Sequence, residues 1–217
     1  MIEPYFEPYE GKKYRNSDPR ILVIGDSHYC GGCELCGVRG HCAKKEMKKC
    51  RSITQKSVCD YLSYRKGERE EDGWMRTTYL SFDKIFYGKK DISASESIEL
   101  WDRIVFYNFV QTAASKEKSN AKYSTKEYNN SNPMAWNVIY KSKPNLIIIW
   151  GSRAYNSLNV LKDESWNKIN DFSGYFTLSD GSNIYCIKIW HPSRANKEKW
   201  HKKLIDFIHF TNGKKLL

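Results

Sequence analysis

An α/β protein built on a parallel sheet is what this sequence predicts, and three observations predict it. Four short apolar runs recur along the chain, helix-like segments separate them, and each run gives way abruptly to a polar cluster. Strands alternating with helices imply right-handed crossovers and a parallel sheet.

The first run, residues 20–24, is entered from Asp18-Pro19 and ended by Gly25, as a strand buried on both faces reads. Residues 103–110, 145–150 and 183–190 supply the second, third and fourth. Helices are expected at residues 52–65, 95–102, 133–141, 152–161 and 196–210. Residues 116–132, rich in Lys, Ser and Asn, lack apolar periodicity and are expected to form a mobile loop; residues 66–73 read as a solvated loop. No internal repeat or linker interrupts the pattern. A chain of 217 residues is therefore expected to be a single domain, with a Cys-rich insertion at residues 30–50.

Charge and composition narrow the partners. Lys and Arg number 36 against 25 Asp and Glu, a formal charge of +11, and the basic residues lie among 15 Tyr and 7 Trp. That mixture suits phosphate backbones and stacked bases. No apolar run approaches the length of a membrane span, and the first residues carry no basic stretch followed by a hydrophobic segment. A cytoplasmic monomer without membrane attachment is the expectation.

The polar clusters carry the chemistry. Gly25-Asp26-Ser27-His28, Asn108 with Gln111, Gly151-Ser152-Arg153 and His191-Pro192-Ser193-Arg194 each follow an apolar run. In open α/β sheets the ligand crevice lies outside the carboxyl ends of the strands, so the clusters are expected to converge there. Each residue also has an ordinary structural role to fill: Asp26 or Ser27 as a helix cap, Asn108 as a partner for backbone groups, His191 as a loop hydrogen-bonder.

A strand ending in Gly25-Asp26-Ser27-His28-Tyr29, a second carrying Phe106-Tyr107-Asn108, a third reading Trp150-Gly151-Ser152-Arg153 and a fourth ending in His191-Pro192-Ser193 resemble, in the same order, the uracil-DNA glycosylase superfamily. The resemblance covers residues 21–200, and its most specific element is Trp190-His191-Pro192-Ser193 followed by a basic helix. It implies a three-layer α/β/α sandwich around a central four-stranded parallel sheet. It also implies hydrolysis of the N-glycosidic bond of a damaged base flipped out of DNA, with DNA a better expectation than RNA. By that resemblance Asn108 reads the base edge, His191 stabilises negative charge on the base carbonyl and Tyr29 closes the pocket. Ser193 and Arg194 meet the phosphates, and Gly151 lines the substrate site. The first motif departs from the best-studied members: Ser27 occupies their acidic water-positioning place, with Asp26 before it and His28 after. Other branches carry a carboxylate directly after the Gly, where Asp26 stands. A carboxylate there can activate water or stabilise an oxocarbenium cation. Asp26, Ser27, His28 and His191 are therefore the candidate catalytic residues. A member of the fold that only binds nucleic acid or a nucleotide is the alternative.

A reading from another class rests on Gly25-Asp26-Ser27, which also resembles the opening motif of GDSL esterases, with Ser27 as nucleophile and Asp206 and His209 as its partners. Against it, Asp206 and His209 fall inside an amphipathic helical pattern.

Seven cysteines are present, and five follow as C-x2-C-x2-C-x5-C-x7-C from Cys30 to Cys50. In a reducing compartment this reads as a metal site or as free, reduced thiols rather than a disulfide framework. Zinc on Cys33, Cys36, Cys42 and Cys50 is the expectation, and an iron-sulfur cluster the alternative.

Overall fold

Hydrophobic alternation within the apolar runs divides the interior into two cores, one on each face of a central sheet. Ile21, Val23, Ile104, Phe106, Ile148 and Trp150 fall in one core, while Leu22, Ile24, Val105, Tyr107, Ile147 and Ile149 fall in the other. A strand whose residues are buried on both sides must be covered by helices on both sides.

The computed structural model describes residues 2–30, 48–115, 123–158 and 165–212. From the N-terminus, β1 (Tyr9–Glu10) leads to β2 (Ile21–Gly25) and β3 (His28–Cys30). Then come α1 (Lys48–Arg51), α2 (Ile53–Arg65), a π-helical turn (Met75–Leu80) running into α3 (Ser81–Tyr87), and α4 (Ala94–Asp102). Next are β4 (Ile104–Asn108), β5 (Ala113–Ser115), α5 (Thr125–Ser142), β6 (Leu146–Trp150) and α6 (Ser152–Ser157). A hairpin of β7 (Ser165–Asn170) and β8 (Ser173–Thr177) precedes β9 (Asn183–Ile189) and the closing α7 (Lys197–Asn212).

The main sheet has seven strands in the order β1-β4-β2-β6-β9-β8-β7. Its centre is parallel, β4-β2-β6-β9, and these are the four strands expected from the sequence. The edges are not: β1, β8 and β7 join antiparallel, which makes the sheet mixed and corrects the four-stranded, purely parallel expectation. Their sequences explain the difference. β1 is two residues long, and β7 reads SWNKIN with no residue fully buried, so neither carries the apolar run of a core strand. A separate parallel pair, β3 with β5, extends past the ends of β2 and β4.

The helices α2, α3, α4 and α7 contribute Val58, Tyr61, Phe82, Ile85, Leu100, Trp101, Leu204 and Phe207 to the first core. Helix α5 contributes Tyr128, Ala135, Trp136 and Ile139 to the second, with Ala154 of α6. In the first core the buried Asp83 ties three helices together. It accepts hydrogen bonds from the Tyr61 hydroxyl and from Trp101 Nε1 at 2.9 Å, and burial raises its pKa.

Residues 116–132 differ from expectation. Residues 125–132 form the opening turns of α5, while 116–122 lie outside the described residues. A capping box starts the helix early: Ser124 and Glu127 bond each other's backbone N–H groups.

Candidate active site at the carboxyl ends of the strands

Along the parallel centre, the chain steps from β2 outward to β4, then crosses back to build β6 and β9 on the other flank. Ligand crevices form where strand order reverses in this way, and the reversal here lies at the carboxyl end of β2.

Asp26 is the first residue beyond β2. Its carboxylate accepts a hydrogen bond from the Tyr128 hydroxyl at 2.5 Å and pairs with Arg153 Nη2 at 3.3 Å, while the Arg153 guanidinium lies 5.8 Å from the Tyr128 ring centre. Burial, and then the Asp26 charge, push the Tyr128 pKa well above the phenolic range, so the phenol stays a donor. The carboxylate is 18% exposed and thus held rather than lost to bulk water.

His191 lies just beyond β9, its ring edge-on to the buried Trp150 at 6.0 Å. Burial lowers its pKa; the Asp26 charge acts in the opposite direction and Arg194 in the same one. The ring is therefore neutral at pH 7. Its Nδ1 accepts from the backbone N–H of Ser193 at 3.4 Å and lies 2.8 Å from Ser193 Oγ. An accepting Nδ1 leaves the ring proton on Nε2. The fixed φ of Pro192 starts the short 3₁₀ turn that brings Ser193 back onto the imidazole.

Asn108 ends β4 and is paired in register with Gly25. Only a glycine fits opposite it, because a Cβ on Gly25 would stand 2.2 Å from Asn108 Oδ1. The amide nitrogen lies 3.2 and 3.4 Å from the two ring nitrogens of His28. Lone pairs of those nitrogens diverge in the ring plane, so one amide at near-equal distance from both packs against the ring and serves at most one of them. His28 Nε2 also meets Thr54 Oγ1 at 3.0 Å, and Phe6 packs edge-on at 4.7 Å. Full burial takes the His28 pKa down to about 3. His28 is a neutral core residue that shapes Asn108, with 4% of its surface exposed.

The remaining expected positions divide. Ser27 is half-buried between Asp26 and His28, and Ser193 and Arg194 are exposed beside His191. Gly151 takes φ 97°, a conformation that favours glycine, and its N–H bonds Ile189 O, turning the chain from β6 into α6. Tyr29 belongs to β3, and its side chain lies outside the described ones. Asp206 and His209 are exposed, far along α7 from its crevice end at Lys197, roughly 13 Å away at Asp206 by helix rise. Cys33, Cys36 and Cys42 lie outside the described residues and Cys50 is buried in α1; among the described residues no group of three or more His, Cys, Asp or Glu could hold a metal ion.

Tyr128 and Thr54 are site neighbours that sequence reasoning missed. The signal for Tyr128 was present: Ser124 and Glu127 in capping-box spacing, followed by Tyr128, Ala135, Trp136 and Ile139 on one helical face. Thr54 carries no such signal. Among the described residues no helix is long and apolar enough to cross a membrane. Neither a scan against protein-family models nor a search of curated proteins returned a match.

Proposed function

We propose that the protein is a DNA glycosylase of uracil-DNA glycosylase-like fold, hydrolysing the N-glycosidic bond of a base such as uracil swung out of its strand. The observation that carries this reading is placement: Asp26, held by Tyr128 and Arg153, directly follows β2, and His191 follows β9, beyond the carboxyl ends of strands in one parallel arrangement.

Cleavage of that bond builds positive charge on the sugar and negative charge on the departing base. Asp26, anchored by Tyr128 and Arg153, offers a carboxylate to the cation or to an incoming water. His191, its proton on Nε2, offers a donor to the base carbonyl oxygen as charge develops there, and neutrality lets it donate without giving the proton up. Asn108 reads the base edge from the neighbouring strand, with His28 and Gly25 setting its amide plane. Ser193 orients His191 and, with Arg194, faces the phosphates. The protein acts as a monomer in this reading.

An oligonucleotide carrying one deoxyuridine tests it. Wild-type protein should leave an alkali-labile abasic site, and Asp26→Asn or His191→Ala should each slow the reaction by about 10²- to 10³-fold. A second reading has its own support: both Asp26 oxygens are already engaged, and Asn108 is 7% exposed. If wild-type protein binds DNA yet leaves every tested base in place, a nucleic-acid-binding module replaces the enzyme.

A further inference from the structure

Seven tryptophans occur in the chain, and Trp101, Trp136 and Trp150 are fully buried. Trp190 is 56% exposed and stands directly before His191. Strand alternation explains the exposure. Ile187 and Ile189 turn into the first core, Ile184 and Cys186 into the second, and Lys188 and then Trp190 continue the second face past the point where it is covered. Lys188 Nζ lies 5.0 Å from the ring centre of Tyr155, on the short helix that also carries Arg153. Beyond Trp190 come exposed Arg194, Lys197 and Lys199. Within ten residues of Trp190 in the chain the acidic residues are Asp180, which accepts hydrogen bonds from the Ser182 backbone N–H and hydroxyl, and exposed Glu198 in the first turn of α7. An indole face open to water amid cations, beside a crevice of base-recognising groups, matches one partner chemistry: an aromatic base carried on a polyanion.

We infer that Trp190 is a stacking platform for an unpaired nucleobase adjacent to the one in the crevice, so that single-stranded DNA is the better ligand. The inference rests on the nucleic-acid reading of the crevice. A duplex hides base faces against each other, whereas each unpaired base has a face to give. Stacking is uncharged, so it should strengthen binding without releasing counterions; the neighbouring cations should do the reverse.

The test is fluorescence anisotropy with a labelled oligodeoxythymidine strand and with a fully paired duplex, across a salt series. Four proteins are compared: wild type, Trp190→Ala, Trp190→Phe, and Arg194→Ala with Lys197→Ala. Trp190→Ala should weaken single-strand binding about tenfold or more with an unchanged log-log salt slope, and Trp190→Phe should recover part of the loss. The double variant should instead lower the slope by about one unit for each phosphate contact removed. Circular dichroism of Trp190→Ala should match wild type, since the side chain is not part of either core. Equal binding by wild type and Trp190→Ala overturns the platform and leaves the crevice reading standing. An equal loss on duplex and single strand overturns the unpaired-base assignment. No wild-type binding to either DNA at low salt overturns both.

Discussion

Gly25 and Asn108 form the tightest constraint in the crevice, because one residue lacks the atom that the other's amide displaces. Adding a methyl at Gly25 would place a carbon 2.2 Å from Asn108 Oδ1 and 3.1 Å from Phe106 Cζ. Gly25→Ala should therefore destabilise the fold by about 1–3 kcal/mol in urea titrations, the usual cost of overpacking. Combined with Asn108→Ala the two costs should add to less than their sum, since the second change removes the atom that the first one meets. Strict additivity would mean the clash is relieved elsewhere. His28, packed against the same amide, makes stability pH-dependent. Burial brings its folded pKa down to about 3, while the unfolded chain takes up a proton at about pH 6.5. The depressed pKa means the contribution is complete above about pH 6.5 and is lost as pH falls toward about 3, by up to about 1.4 kcal/mol per pH unit. Urea midpoints between pH 7 and pH 4 should therefore fall less steeply for His28→Gln than for wild type. Parallel slopes would assign the acid sensitivity to other groups.

Among the elements, α5 contributes the partner that Asp26 could not find in its own strand. The helix starts at Thr125, ahead of Pro133, because Ser124 and Glu127 cap it and Tyr128 is buried against Phe109 at 5.8 Å and bonded to Asp26. Proline removes one helical N–H, which sequence logic reads as a helix start; here the capped turns before it offset that loss. At its other end α5 is closed by Lys143 at φ 51°, whose N–H bonds Ile139 O at 2.8 Å. A lysine in the left-handed region carries a steric cost that glycine avoids. Lys143→Gly should raise the urea midpoint, by an amount equivalent to about 1 kcal/mol of stability. An unchanged or lower midpoint would mean that the lysine side chain, or the added freedom of the unfolded glycine, outweighs the relief.

The described residues form a seven-stranded mixed sheet with helices on both faces and a separate two-stranded pair, and the four parallel strands bring their carboxyl ends to the same end of the main sheet. The four cysteines expected to bind metal, Cys33, Cys36, Cys42 and Cys50, come after β3 in the sequence, and the first three lie outside the described residues. Elemental analysis of purified protein should find about one zinc per chain, the content of a four-thiolate site. A brown chromophore would replace zinc with an iron-sulfur cluster. Metal-free protein that stays folded would remove both.

The central strands, and the residues that end them, were legible from Ile21, Ile104, Leu146 and Asn183 onward, because a strand buried on both faces must be apolar at every position and must turn polar where it leaves the sheet. The edges were not legible. Ser165-Trp166-Asn167-Lys168 is half solvated, and what makes it a strand is pairing with β8 rather than its own composition. The same division runs through the site. Asp26, Asn108 and His191 could be named from their places after apolar runs, and an α/β fold from the alternation of elements. That His28 is a neutral buried ring against Asn108, and that Tyr128 and Arg153 hold Asp26 across 102 and 127 residues of chain, were decided by packing. Hydrogen bonds and burial depend on which distant segments meet, and no local pattern around Asp26 encodes a partner on α5 or α6.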